Sequence, residues 1–563
     1  YFVVQTKWYL QSQTVWLPRL LNCIQGCYCI PSPKGEGFTD PLTGTLNKAG
    51  VEVTEHQRRG GRKGGVSRKV SPPHTAYTHL QNAFNPQPGF SEDEIAAIHD
   101  TALRILENLG IRVLLDEART ILKSGGALVD DETMMVCIGR DMVEAALAAA
   151  PKSFRLRAAN SMREQTFAPG SMLFEAGSGC PNVFDRTRGR RPGSLVEYRE
   201  TLKLQQSFDV IHVHGPSAEP QDVPVNLRHY AMMEGQLTLG DKPLFVYARG
   251  RAQTLESFEM IRLAHQIDEA EFENGVWAIT IINSNSPRQL DIPMARAIID
   301  FARAGQMSVI TPFCLAGAMA PVTISGALAL QHAEALAGIT LAQLARPGAP
   351  VSYGGFASNV DMKSGSPAFG TPEHIRASLG SGQLARLIGL PWRSAAGASS
   401  NLADGQGVQE TTMALWGAVL AQATLTLHAA GWLEGGLTFG YEKFILDVEA
   451  LQSFAHLARP SPASADDIGY DSIAEVTPGG HFFATQHTMS RYKDAFYQPL
   501  VADLRNHGAW TDAGALSADQ RATAIWQEKL ASYTPPPTAE GAQARLAQFI
   551  ADKTADGGAL PED

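Results

Sequence analysis

The sequence predicts an α/β chain whose body is a TIM (β/α)8 barrel, preceded by a mixed α/β extension and followed by helical additions. Two observations carry that expectation. Apolar or small-residue runs recur from residue 170 onward at intervals of about 30 to 45 residues, the length of a strand, a helix and two loops, and they number eight. Between them lies helical text such as LESFEMIRLAHQI, IPMARAIIDFARAG and LALQHAEALAGITLAQLA. Eight βα units are the number that closes a barrel. An open doubly wound sheet is the competing arrangement, and so many regular units argue against it. The predicted segments are 1–55 as a disordered or non-native leader, 56–168 as a basic arm and mixed α/β region, 169–445 as the barrel, and 446–563 as a helical region.

In order along the chain, the leader mixes aromatic, polar and apolar residues without periodicity. Lys7, Gln11, Gln13 and Arg19 interrupt its apolar runs, so it does not supply the roughly 20 apolar residues of a membrane span. It also lacks the basic start and unbroken apolar core of a signal peptide. Cys23, Cys27 and Cys29 offer three thiols without a fourth ligand nearby, an incomplete metal set. RRGGRKGGVSRK, residues 58–69, has the composition of an RNA-binding segment, but no aromatic residue interrupts the charges, and it reads as a solvated basic arm. In GFSEDEIAAIHDTALRILENLGIRV, Ser91 and Glu94 form a capping box, Ile95, Ile98, Leu103, Leu106 and Leu109 make a helical stripe, and Gly110 ends it.

The eight runs are MLFEAG from Met172, DVIHVHG from Asp209, PLFVYAR from Pro243, VWAITIIN from Val276, MSVITPFCL from Met307, PVSYGGFAS from Pro350, PWRSAAGAS from Pro391 and ATLTLHAAG from Ala423. After them PGGHFFATQHTMSRYKDAFYQPL carries His481 and His487 into a charged helical tail.

Hydrophobic residues at 44%, charged residues at 18% and a net charge of -10 describe a soluble globular chain with no general affinity for nucleic acid or an anionic membrane. The expected partners are small molecules and other proteins. Six cysteines are sparse for 563 residues, which favours a reducing, cytoplasmic setting. The long helical additions lead us to expect a homo-oligomer.

Chemistry in a barrel sits where strands end. The candidates there are Glu175, His212, His214, Tyr247, Arg249, Asn283, Asn285, Phe313, Tyr353, Phe356, Ser399, Ser400, Asn401, His428, Trp432 and Glu434. His212 and His214 share a strand face and could meet one ion, but two imidazoles do not complete a zinc set, and a metal is not expected. No GxSxG elbow, Walker sequence or GxGxxG turn is present. Aromatic residues are abundant at the strand ends, and together they could cage a quaternary ammonium group through their ring quadrupoles.

YGGFASNVDMKSGSPAFGTPEH, SSNLADGQGVQE, GWLEGGLTFGYEKFILDVE and PGGHFF together resemble the trimethylamine methyltransferase (MttB-type) family of corrinoid-dependent methyltransferases. The resemblance implies a TIM barrel whose open end docks a separate corrinoid protein, with cobalamin-type Co(I) as methyl acceptor. Trimethylamine users in that family carry pyrrolysine in the segment similar to SSNLADGQGVQE, whereas every position here is ordinary, with Leu402 near the aligned place. Members without pyrrolysine include glycine betaine methyltransferases, so the resemblance implies a quaternary amine as methyl donor. The alternatives are a tertiary-amine methyltransferase and a non-catalytic barrel that senses betaines. Strand-end position and chemistry select Tyr353, Phe356 and Trp432 to surround the trimethylammonium head, and Asn401, His428, Arg249 and His214 to bind a carboxylate or position the methyl group.

Overall fold

The computed structural model describes Tyr77 and residues 79–562 other than Ala248. The expectations for the leader, its clustered cysteines and the basic arm fall outside the described residues. Seven parallel strands form one sheet in the order Leu173–Phe174, Leu425–Leu427, Trp392–Ala395, Val351–Gly354, Met307–Ile310, Ala278–Ile282 and Leu244–Phe245. The run DVIHVHG joins the two edge strands. Val213 makes a parallel bridge to Glu175, and the His214 N–H donates to the Pro243 carbonyl. Seven of the predicted runs are therefore strands, and the eighth closes the sheet through an isolated bridge.

One hydrophobic cluster fills the barrel, with Leu173, Val213, Phe245, Ile279, Val309, Leu425 and Leu427 among its members. Full burial of each such side chain contributes about 1.5–3 kcal/mol. A hairpin of Phe154–Leu156 and Gln165–Phe167 adds Leu156 and Phe167 to the same cluster and floors the N-terminal end. A filled, floored barrel leaves its C-terminal mouth as the place for a ligand.

The helix Ile324–Ala345 is apolar on all sides because it is covered on all sides. It lies between the barrel and the extension helices Glu92–Arg104 and Arg140–Ala149, so nearly its whole circumference is buried. The Ser91–Glu94 capping box forms as the sequence predicts. The α-helix it opens gives way to a π-turn at Ile105–Leu109, and Gly110 leaves it at φ 65°. The extension strand Ile111–Val113 pairs in parallel with Gln289–Leu290, which lies in the connection after the Ala278–Ile282 barrel strand.

At the mouth, a four-stranded sheet of Trp432–Leu433, Thr438–Gly440, Asn182–Asp185 and Gly189–Pro192 joins the segments that follow the first and last barrel strands. The C-terminal helices Ala518–Ala531 and Ala542–Ala555 pack on Tyr441–Leu457 and Arg251–His265 respectively. Among the described residues, Cys137, Cys180 and Cys314 are free, and no helix is long and apolar enough to cross a membrane.

Candidate active site

The barrel interior changes character near its mouth. Leu173 belongs to the apolar filling, and two residues further along the same face is Glu175, fully buried. Arg393 pairs in register with Leu425, which pairs with Leu173, so Arg393 starts one side-chain layer below Glu175. Its long side chain spans that layer, and the guanidinium lies 4.9 Å from the centroid of the Phe356 ring. Arg393 is 1% exposed, and its Nε and Nη1 find no hydrogen-bond partner. Glu175 Oε1 accepts from the Ser178 hydroxyl at 3.0 Å, while Oε2 has no partner. Burial pushes the Glu175 carboxyl well above its ordinary range, with Ser178 and Arg393 opposing. Burial likewise pushes Arg393 down to about 9, with Glu175 pulling it back up. An acidic and a basic group thus lie close together without pairing.

Around them stands an aromatic wall. The His428 ring stacks on Trp432 with centroids 4.3 Å apart and planes 11° apart, and Phe356 lies 5.6 Å from His428 and 4.9 Å from Phe313. Phe369 stacks on Phe356 at 5.3 Å. Trp432 and Phe369 are at most 1% exposed, whereas Phe313, Phe356 and His428 retain 6–7%. The former two are the more deeply enclosed, packed behind Phe356 and His428. Gly397 and Gly436 make room for the indole, since a Cβ on either would collide with it.

His428 occupies left-handed backbone at φ 55°, a strained conformation of the kind that persists where surrounding contacts impose it. Its Nδ1 accepts the Ser178 N–H at 3.3 Å, which leaves the ring proton on Nε2. Burial, reinforced by Arg393, holds the imidazole neutral by pushing its pKa well below the ordinary value. Behind the loop, the Asp447 carboxylate accepts the Gly431 N–H at 2.8 Å and pairs with Lys443 at 2.5 and 2.6 Å.

The structure brings Phe356, Trp432 and His428 together with the strand-end candidates Glu175 and Phe313, and separates Tyr353, His214, His212, Arg249 and Asn401 from them. Tyr353 points outward, where its hydroxyl meets Gln331 at 3.3 Å and His332 at 3.2 Å on the Ile324–Ala345 helix. Gln331 in turn accepts the N–H groups of Phe356 and Ala357, so Tyr353 supports the wall from outside and is not part of it. His214 also faces outward, because Val213 beside it points into the filling. Its ring abuts Gly240, and burial with the nearby cations Lys242 and Arg163 keeps it neutral. His212 shares that outer face, accepting the Phe174 N–H, so the histidine pair does not face the mouth. Arg249 is half-buried in the turn before the Arg251–His265 helix, where its N–H donates to Gln253. Asn401 and Leu402 are exposed at the rim, Leu402 by 51%. The strand-end reading missed Arg393, Ser178 and Phe369. The signal for Arg393 was available: it is the charged residue in the otherwise apolar and small run PWRSAAGAS.

The loop that carries Leu402 is built as a helix entrance. Asp404 caps Gly405–Leu420 by accepting the Gly407 N–H, Ser400 donates its N–H to Glu410, and the Ser399 hydroxyl accepts the Phe369 N–H. These bonds tie the exposed rim to the aromatic wall.

The trimethylamine methyltransferase (MTTB) family model matches residues 57–558. The chain belongs to that family and is an amine methyltransferase. It is 34% identical over 465 residues to the glycine betaine methyltransferase of Desulfitobacterium hafniense (strain Y51), covering 82% of this chain and 96% of that protein. It is 28% identical over 470 residues to the trimethylamine methyltransferase MttB of Desulfitobacterium hafniense (strain DSM 10664 / DCB-2), covering 83% and 94%. The solved Methanosarcina barkeri monomethylamine methyltransferase (MtmB) overlays with a TM-score of 0.41 at 8% identity, covering 84% of this chain and 95% of that one.

Proposed function

We propose that the protein transfers a methyl group from a quaternary amine of the betaine class, glycine betaine or a close relative, to the Co(I) of a corrinoid carried by a separate protein. The observation that supports this reading is an aromatic wall of Phe313, Phe356 and His428 standing beside the buried carboxylate of Glu175. A fixed cation suits such a place. A neighbouring cation favours the ionised form of the Glu175 carboxyl, which then attracts it, and a permanent charge needs no proton from the site.

The chain's own part is to bind and orient. Glu175 and the wall hold the ammonium head so that one N–CH3 bond points out of the mouth, and the filled barrel below keeps water from the opposite side. The exposed rim of Asn401 and Leu402 would receive the corrinoid carrier, whose Co(I) would supply the nucleophile. The C–N bond breaks with its electron pair remaining on nitrogen, and a neutral tertiary amine leaves. Among the described residues no protein nucleophile is poised for the step. Burial pushes the Cys314 thiol well above its ordinary range, and Lys443 is committed to Asp447.

The test is a methyl-transfer assay with cob(I)alamin or the cognate carrier, followed by the appearance of the methylcobalamin spectrum. Glycine betaine is expected to produce it and trimethylamine is not. Transfer from trimethylamine alone, or from neither compound with the cognate carrier present, overturns the proposal.

A further inference from the structure

A buried guanidinium without hydrogen-bond partners is costly, because its desolvation goes uncompensated. Arg393 is in that position, yet it sits among packed rings, with Phe356 beneath it and Gly354 beside it in register on the next strand. Phe356 is already engaged. Phe369 stacks on it and the guanidinium lies over its ring, so a ligand meets the edge of that ring. An aromatic edge is electropositive and does not attract a cation. The cation's share of the cavity is therefore the side of Glu175, whose Oε2 is unpartnered, and the side of Arg393 is left for something else.

We infer that Arg393 is the receptor for an anionic group on the substrate, a carboxylate, so that the site selects a short zwitterion and rejects a simple quaternary cation. This rests on the reading of the substrate as a quaternary amine. Two N–H donors in a fixed fork match the two oxygens of a carboxylate, and such charge-assisted pairs are among the strongest hydrogen bonds in proteins. The same ligand then serves both poles: its carboxylate takes one edge of the Arg393 guanidinium, pairing Nη2 together with either Nε or Nη1, and its ammonium head lies against Glu175. A choline-like cation completes only one. It leaves the guanidinium unpaired and adds a like charge beside it, and discrimination of that kind is built from unsatisfied buried groups as much as from attraction.

Calorimetry on the intact protein with glycine betaine, glycine betaine methyl ester and choline tests the assignment, since the ester deletes the anion without touching the protein. Glycine betaine is expected to bind on the order of 100-fold more tightly than the ester or choline, and Arg393→Gln to collapse that ratio toward one. Ester binding within about threefold of betaine binding in the natural protein overturns the assignment, as does an Arg393→Gln protein that keeps the ratio. Should Arg393→Gln not fold, the ester comparison decides alone. Methyl transfer in parallel separates the two claims. Selective binding of betaine without transfer overturns the proposed activity and upholds Arg393, whereas equal binding and equal transfer from betaine and ester do the reverse.

Discussion

Two sets of buried opposite charges lie close to the mouth of this barrel, and they are built in opposite ways. Lys443 and Asp447 sit one turn apart on the Tyr441–Leu457 helix, bond each other directly, and spend their remaining capacity on the Thr411 hydroxyl and the Gly431 N–H. Arg393 and Glu175 come from different strands, make no bond to each other, and leave Nε, Nη1 and Oε2 unpaired. Both sets carry the desolvation cost of burial, as the displaced ionisation of all four groups shows. Only the first recovers it within the chain. A saturated buried pair fixes structure, here the loop leading to Trp432, and the unsaturated one is where the proposed substrate is placed.

Acid gives the largest expected effect, because it acts on buried neutral histidines across the fold, His374 and His428 near Arg393 among them. Burial lowers the pKa of His229, His265 and His374 to about 4, that of His332 to about 3, and those of His214 and His428 well below the ordinary value. The unfolded chain takes up these protons at about 6.5, so it binds more protons than the native state below that pH. Stability is fully present above pH 6.5 and falls progressively toward pH 4, a decline measurable as the urea midpoint across that window. A flat midpoint from pH 7 to 4 would contradict the buried neutral histidines.

A single substitution then separates the two ionic sets. Lys443→Met strands the Asp447 carboxylate and is expected to cost about 3–5 kcal/mol in urea unfolding. Smaller still is the loss in Tyr353→Phe, which removes only the hydroxyl that meets Gln331 and His332, at about 1–2 kcal/mol. That change acts from outside the wall, so the KM for the methyl donor is expected to move much less than in Arg393→Gln. A comparable rise in both would place Tyr353 in the site after all.

Much of the architecture was legible because eight strand-length runs at near-constant spacing have few ways to fold, and the barrel uses all eight. Which side of a strand each residue occupies was not. Alternation separates inside from outside only when one face is polar, and here both faces are buried, by filling within and helices without. His214 and Tyr353 were selected on position and chemistry, and both lie on the helix side. Phe356, Trp432 and His428 follow the ends of their strands, where chain direction alone places them at the mouth. Arg393 escaped notice although it lies one register step nearer the mouth than Tyr353, because only side-chain direction, inward for Arg393 and outward for Tyr353, separates the two.

Urea unfolding of the natural protein and of Arg393→Met, each with and without glycine betaine, tests the contrast most directly. Replacing an unpaired buried charge by an apolar side chain is expected to leave the ligand-free protein as stable as before or more so. Betaine is then expected to raise the midpoint of the natural protein, since a ligand that binds only the folded state stabilises it, and to leave that of Arg393→Met unmoved. Ligand-free Arg393→Met unfolding as early as Lys443→Met, with both Arg393 forms gaining equally from betaine, would show instead that Arg393 is part of the scaffold.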